Sequence, residues 1–449
     1  MKLKNWLLYA AILMLLHLAL LVTTQFTAWP EMLFWPYLLL KGWLPYRDIG
    51  IAHSPLLVVE LTAFYNLLGV GILQQKIASW LVPLLTDCLL IYFFGKLFGI
   101  KKALLALAFY ILFQVYYDGN GIWFDHALAV FSITIFYFLE KKNHLSVGVF
   151  WALAFLTKQT AFWFSLPVFY YLLIVKEKKK FIVDILKGAI LVLAIFFPAL
   201  FIFGIQQDYF AWSIIFGIGV LPKLAAKVSS VRTMIASFVP YLIFTPLFMT
   251  KFKKKPVAIF LWSIAGAMGA IPRFELFHFQ PAVPFLALGS ASLFAFLLGS
   301  KKKTYSIVSL SILLLVLAVI GRGIARKFLK EERFYTADDK KIANYVSRLT
   351  IPNQAIFVTN YWDNLYPLTD TIPATRPFIP QLTQYMFQPG FEDENVTDLV
   401  TTPPKIVVRG QFRGPQDPYR FEKINNFIDN NYQTANSVGG IDILKAIKK

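Results

Sequence analysis

The chain has 449 residues, 57% of them hydrophobic, 17% aromatic and only 15% charged, with a mean hydropathy of +0.58. Repeated apolar runs near the length of a bilayer crossing make it an integral membrane protein and exclude a wholly soluble one. The formal net charge of +19 would suit a nucleic-acid partner. Lys and Arg fall in short clusters between apolar runs instead of on one face, however, as the positive-inside rule requires, so no nucleic-acid partner is expected.

The first run, 6–24, follows Lys2 and Lys4. It is too long for a signal-peptide core and no clear small-residue cleavage site follows it, so it reads as a retained span. The loop 25–73 contains apolar pieces at about 32–40 and 55–70. The first is too short to span and is preceded by Glu31, while the second carries Glu60 and Asn66, so both read as helices lying in the outer interface. Were both to cross instead, Asp48 would become cytoplasmic. Further runs follow at 74–95, 103–117, 127–139, 145–157, 160–175, 182–204, 233–250, 256–271, 281–299 and 304–321, giving about eleven transmembrane helices. The stretch 145–175 is short for two crossings and reads as two short, broken helices facing a protein-lined cavity.

Placing the amino terminus in the cytoplasm puts 18 basic residues in short cytoplasmic connections, among them the KEKKK at 176–180 and the KFKKK at 251–255. The longer external connections up to residue 300 hold eight: Lys41, Arg47, Lys76, Lys158, Lys223, Lys227, Arg232 and Arg273. That asymmetry sets the orientation. Cys88, the single cysteine, lies inside an apolar run and leaves no internal disulfide or cysteine-based metal site.

Composition changes after Arg322: 14 of the 25 acidic residues lie in 331–449 and no long apolar run remains. The pattern predicts a small external α/β domain. Its elements are a helix over KKIANYVSRL, strands at AIFVTN and KIVVRG, a helix over FEKINNFIDNNY and a terminal strand IDILKA. The expected organisation is a transmembrane domain, 1–322, with catalytic external loops, followed by a soluble domain, 331–449.

Ionisable residues at membrane depth are costly and are functional candidates. On the external side the topology gathers Tyr46, Arg47, Asp48 and His53 from the first loop, Asp118, Asp125 and His126 from the second, and Lys158 and Gln159 from the third. Asp208, Lys223, Lys227 and Arg232 come from the fourth, and Arg273, Glu275 and His278 from the fifth. Some have plain structural readings: Asp118 and Asp208 as solvated loop residues, Lys223 and Lys227 on an amphipathic surface, and Arg273, Glu275 and His278 as an internal ion-pair network. Lys158 interrupts an otherwise apolar stretch, and Asp48 sits beside Pro45 in a turn-like one. Asp87 is the one clear carboxylate deep in a span, too few for a proton relay. There is no Gly-rich phosphate loop, Walker motif or HExxH helix, so soluble nucleotides are not expected as substrates.

The order of an amino-terminal span, G-x-L-P-Y-R-D with a following H-x-P, WFDHAL, T-K-Q-T, R-x-E-x-x-H-x-Q-P-A-x-P and an external α/β tail resembles the GT-C superfamily of polyprenyl-phosphate-sugar-dependent glycosyltransferases. The subgroup with aminoarabinose transferases and protein O-mannosyltransferases is the most similar in pattern. The resemblance implies a GT-C-like fold and inverting transfer of a hexose or pentose from a lipid-phosphate donor to a glycan, lipid or protein acceptor. It places the reaction at the outer face of the cytoplasmic membrane, with Asp48 at the catalytic centre and Asp125 as the second acidic position. His-Ser-Pro stands where many relatives have a basic residue and two prolines, which leaves His53 without an assigned role.

In a single displacement the acceptor needs a base, while the leaving phosphate needs cations more than a proton. Asp48 is the expected base, and Asp125 orients its partners or bonds the sugar. Arg47, Lys158, Gln159, Arg232, Arg273, Glu275 and His278 are the expected substrate and phosphate contacts, and Tyr46 and Trp123 could stack on the sugar. No cofactor is required by this chemistry; a divalent ion held by His53, His126, Asp48 and Asp125 is the alternative. A carrier or flippase for lipid-linked sugars would share the cations but not the base, and an inactive scaffold would use the tail to bind a partner.

Overall fold

A computed structural model describes residues 3–224, 228–249, 254–299, 303–380, 385, 390–410 and 421–447. Lys2, Lys227, Lys251 and Lys253, and Lys301 and Lys302 of the last short cytoplasmic connection, all part of the expected charge pattern, lie outside the described residues.

Helical segments cover each of the eleven expected runs: Leu3–Thr23, Ile72–Phe98, Ile100–Tyr116, Phe124–Glu140, His144–Thr157, 159–174, Lys178–Ile202, 231–249, 254–270, 276–299 and Lys303–Ala325. Among the described residues six helices are long and apolar enough to cross a membrane: Asn5–Thr23, Ile72–Phe98, Lys178–Ile202, Val231–Phe248, Leu276–Leu298 and Thr304–Ala325. The others have 17 residues or fewer, below the roughly 20 of a full crossing. The two expected pieces of the first loop are the helices Pro30–Leu40 and Leu56–Leu68.

The chain forms two compact units, each assembled from separated segments. One comprises Met1–Phe26, Ile77–Ala199 and Ala226–Glu331; the other comprises Thr27–Lys76, Leu200–Ala225 and Glu332–Lys449.

In the first unit, the part of Lys178–Ile202 up to Ala199 leaves Leu186, Ile190, Leu191 and Ile195 exposed, an apolar surface suited to lipid and not to water. Val283–Gly299 does the opposite. Phe285, Leu286, Ala287 and Leu288 are all fully buried, as expected of a helix apolar on every side, and it packs along Ile100–Tyr116. Trp262 stacks on Phe285 with ring centroids 5.2 Å apart. His144–Thr157 and Lys178–Ile202 approach backbone to backbone at Gly148 and Gly188, where a Cβ would collide with the carbonyl oxygens of Ile185 and Leu145 respectively. Small residues permit such close crossings between membrane helices.

The second unit carries a five-stranded mixed sheet: β1 (Ala355–Thr359), β2 (Ile372–Pro373), β3 (Ile406–Arg409), β4 (Tyr432–Val438) and β5 (Ile441–Ala446), in the order β2-β1-β3-β5-β4. β1 is parallel to β2 and β3, while β5 is antiparallel to β3 and β4, with Val407 opposite Leu444. The apolar runs AIFVT and IVVR are buried as central strands should be. The sequence pattern marks neither the short strand β2, nor strand β4, nor the helix Phe391–Thr401. β4 is a mostly exposed edge strand, its sequence YQTANSV rich in polar residues, and the helix opens on the acidic run Glu392, Asp393, Glu394. Neither presents the apolar periodicity from which elements are read.

Replacing Gly148 by Val is expected to lower stability in detergent by about 1–3 kcal/mol through overpacking. Gly321→Ala, where an added Cβ meets nothing within 4 Å, is expected to leave the melting temperature unchanged or slightly raised.

Candidate functional site

Each unit holds one constellation of the expected residues. In the second unit, Leu44 to Ile49 close into a tight loop. The Asp48 amide donates to the Leu44 carbonyl at 2.9 Å, the Tyr46 amide donates to the Ile49 carbonyl at 3.0 Å, and Tyr46 adopts a left-handed φ of 70°. Tyr46 is buried and its hydroxyl donates to the His53 carbonyl at 3.0 Å, which fixes the far side of the loop. His53 itself is half-buried.

This folding turns the Asp48 side chain inward, to 5% exposure. Its Oδ2 accepts from the Leu44 amide at 2.7 Å. A residue absent from the expected set completes the arrangement: Arg376, in the irregular segment after β2, donates through Nε to Oδ1 at 2.9 Å and through Nη2 to Oδ2 at 2.7 Å. The pairing is held in register by the backbone, with the Phe378 amide donating to the Asp48 carbonyl and the Gly50 amide donating to the Phe378 carbonyl, both at 2.8 Å. Arg376 lies over the Trp43 ring, 5.0 Å from its centroid, and its side chain remains 58% exposed. On the other side of the turn Arg47, also partly exposed, bonds the Gly204 carbonyl and lies 3.6 Å from the Asp208 carboxylate.

Burial pushes the Asp48 carboxyl upward. The Arg376 hydrogen bonds, the Leu44 amide and the charges of Arg376 and Arg47 outweigh that, and hold it below its ordinary 3.8. The Asp48 bond in turn raises Arg376. Asp48 is therefore a carboxylate at neutral pH, with two guanidinium groups beside it.

In the first unit, Asp125 sits in the first turn of Phe124–Glu140, where the helix N-terminus favours a carboxylate. Lys158 falls at the break between His144–Thr157 and the 3-10 turn Gln159–Phe164, in extended backbone with φ −155° and ψ 136°. That break is what places a cation within an apolar stretch. Its Nζ donates to Asp125 Oδ2 at 2.6 Å and reaches His278 Nδ1 at 3.2 Å, and His278 Nδ1 lies 2.9 Å from the same Oδ2. All three residues are at least 94% buried, as ion pairs away from water must be if they are mutually satisfied. Asp125 Oδ1 and Thr160 Oγ1 are buried without a hydrogen-bond partner among the described residues. Either oxygen can take a polar group of a ligand.

The remaining expected residues are placed singly. His126 accepts the Trp123 amide at Nδ1, 3.2 Å, and faces the Asp118 carbonyl with Nε2, 3.3 Å. Asp118 pairs with Lys327. Gln159 opens the 3-10 turn, Arg232 is exposed on Val231–Phe238, and Arg273 donates to Glu275 at 3.2 Å. Asp87, the deep carboxylate, is paired with a fully buried His17 at 2.8 Å. Among the described residues no three His, Cys, Asp or Glu side chains group as metal ligands.

Arg376 escaped the sequence because its partner lies 328 positions away. The one local signal is a lone cation in the apolar, proline-marked run IPATRPFIP.

With this geometry established, comparison with known proteins gives consistent results. The chain shares the fold of ArnT and of an archaeal oligosaccharyltransferase. The dolichyl-phosphate-mannose-protein mannosyltransferase family model matches residues 52–202, a span that includes Asp125 and Lys158 and begins just after Asp48. The crystal structure of ArnT from Cupriavidus metallidurans bound to undecaprenyl phosphate aligns with a TM-score of 0.67 at 12% identity, covering 100% of this chain and 99% of that one. The apo ArnT structure aligns at 0.66 and 13%, covering 99% and 98%. The Archaeoglobus fulgidus oligosaccharyltransferase tethered to an acceptor peptide aligns at 0.58 and 11% identity, covering 100% of this chain and 74% of that one. No curated protein matches the chain in sequence.

Two outcomes are expected. Lys158→Met should destabilise the first unit by about 3–5 kcal/mol, since it leaves Asp125 as an uncompensated buried charge; adding Asp125→Asn should recover part of the loss, read as melting temperatures in detergent. The Asp48–Arg376 pair involves a carboxyl whose folded pKa is lowered, so its stabilisation is present above the unfolded value of 3.8 and lost as pH falls through the lower folded value. The melting-temperature gap between wild type and Arg376→Gln should therefore be constant above about pH 5 and shrink only below pH 4.

Proposed function

We propose that the chain is an inverting glycosyltransferase that moves a hexose or pentose from a polyprenyl-phosphate donor to an acceptor hydroxyl or amine at the outer face of the cytoplasmic membrane, with its amino terminus in the cytoplasm and about eleven crossings. The observation that carries this reading is the buried Asp48 carboxylate set between two partly exposed guanidinium groups, Arg47 and Arg376. A displacement at a sugar phosphate needs one anionic base and cations for the leaving group, and these three residues supply both.

In the step, the acceptor oxygen or nitrogen attacks the anomeric carbon. The carbon–oxygen bond to phosphate breaks with its electron pair passing to the phosphate, and the acceptor proton passes to Asp48. Arg47 and Arg376 stabilise the growing phosphate charge by charge-assisted hydrogen bonds. Within the first unit, Asp125, oriented by Lys158 and His278, has an Oδ1 with no hydrogen-bond partner among the described residues, which suits it to a sugar hydroxyl. Gln159, Arg232, Arg273 and Glu275 are further substrate contacts in this reading, and Tyr46 shapes the loop that carries the base. The fold likeness to ArnT bound to undecaprenyl phosphate supports a lipid-linked donor, and the tethered peptide of the oligosaccharyltransferase supports a polymeric acceptor as one class among glycan, lipid and protein.

The reading uses no resident metal, so chelation by EDTA is expected to leave transfer unchanged. A radiolabelled lipid-phosphate-sugar assay on membranes tests the base directly. Asp48→Asn should reduce transfer by about 10²-fold or more while leaving the protein folded. Transfer at the wild-type rate would overturn the mechanism and favour a carrier, which needs the cations and no base.

A further inference from the structure

The Asp48–Arg376 pair presents a chemical conflict. A general base works best when its pKa lies near the working pH. Asp48 instead spends its lone pairs on three donors, the Leu44 amide and two nitrogens of Arg376. In this state it is well oriented and weakly basic. Removing Arg376 from it would raise its basicity and open Oδ1, whose hydrogen-bond partner is Arg376 Nε.

Several features allow that removal by a side-chain movement alone. The backbone around Arg376 is fixed by its own amide, which donates to Asp398 Oδ2 at 2.8 Å, and by the Phe378 contacts to Asp48 and Gly50. Leu44 continues to hold Oδ2, so the carboxylate keeps its orientation after release. The guanidinium is 58% exposed against 7% for the carboxylate, and Nη1 has no hydrogen-bond partner among the described residues. Trp43 gives the cation an apolar face to rest on as it turns. A guanidinium fork fits a phosphate as well as it fits a carboxylate, so a phosphate arriving from solvent competes directly for the same donors.

We infer that Arg376 is a shared latch, held by Asp48 at rest and transferred to the phosphate of a lipid monophosphate donor on binding, so that donor occupancy releases the Asp48 carboxylate to take the acceptor proton. The catalytic half of this statement rests on the transfer reading above; the exchange of partners does not. The latch makes the base reactive only when a leaving group is already clamped, and keeps Asp48 inert toward an acceptor alone.

The exchange is tested by equilibrium binding of undecaprenyl phosphate to the purified full-length protein in detergent, across the cycle wild type, Asp48→Asn, Arg376→Gln and the double variant. Removing the competitor should tighten binding severalfold in Asp48→Asn, and removing the shared cation should weaken it about tenfold in Arg376→Gln. The gain from Asp48→Asn should vanish in the Arg376→Gln background. An equal gain in both backgrounds would mean simple charge repulsion between Asp48 and phosphate and would overturn the latch, as would no gain in either. Should Arg376→Gln fail to fold, Arg376→Lys replaces it in the same cycle, because an ammonium keeps the charge and loses the fork. If the cycle behaves as expected but no lipid-phosphate sugar is turned over, the transfer reading fails and the latch stands. If transfer depends on Asp48 while the cycle shows no coupling, the reverse holds.

Discussion

A carboxylate withdrawn from water must be paired, and the first external loop is organised by that requirement. Asp48 turns inward because Leu44–Ile49 folds into a tight loop that offers it a backbone amide, and it stays charged because Arg376 reaches it from the segment after β2. The same contact fixes the register of two distant stretches, since the backbone bonds between Asp48, Gly50 and Phe378 run alongside the ion pair. The loop, the sheet-bearing segment and Arg47 with its Asp208 contact then form a single compact unit, although the segments are far apart in sequence.

The first unit solves the corresponding problem inside an apolar helical bundle. Lys158 and Asp125 neutralise one another with His278 in contact with both, and His17 with Asp87 forms a second buried pair. Such pairs are poor sources of net stability, because desolvation offsets the attraction. Their value is positional: each fixes side chains that no apolar neighbour could orient. Both pairs leave one carboxylate oxygen, Asp125 Oδ1 and Asp87 Oδ1, without a hydrogen-bond partner among the described residues.

The helical runs were readable because bilayer-length apolar segments leave a direct trace in composition, and each expected run is covered by helix. Lys158 was readable as a cation in apolar surroundings, and Asp48 as an acid in a proline-marked turn. Both signals are local. What escaped depends on long-range contact: the partnership of Arg376 with Asp48, the grouping of 27–76 and 200–225 with the C-terminal residues, and the His17 partner of Asp87. Strand β4 escaped for a different reason. It pairs at a sheet edge through its backbone, and its side chains carry little of the alternation that marks a half-buried strand.

In this mechanism the Asp48 turn is a phosphate-responsive base site. A structure of the full-length protein with a polyprenyl monophosphate bound tests it most directly. The phosphate is expected between Arg47 and Arg376, with the Arg376 guanidinium turned away from Asp48 Oδ1 and the Leu44 amide still on Oδ2. A phosphate bound elsewhere, with the Asp48–Arg376 pair intact, would contradict it.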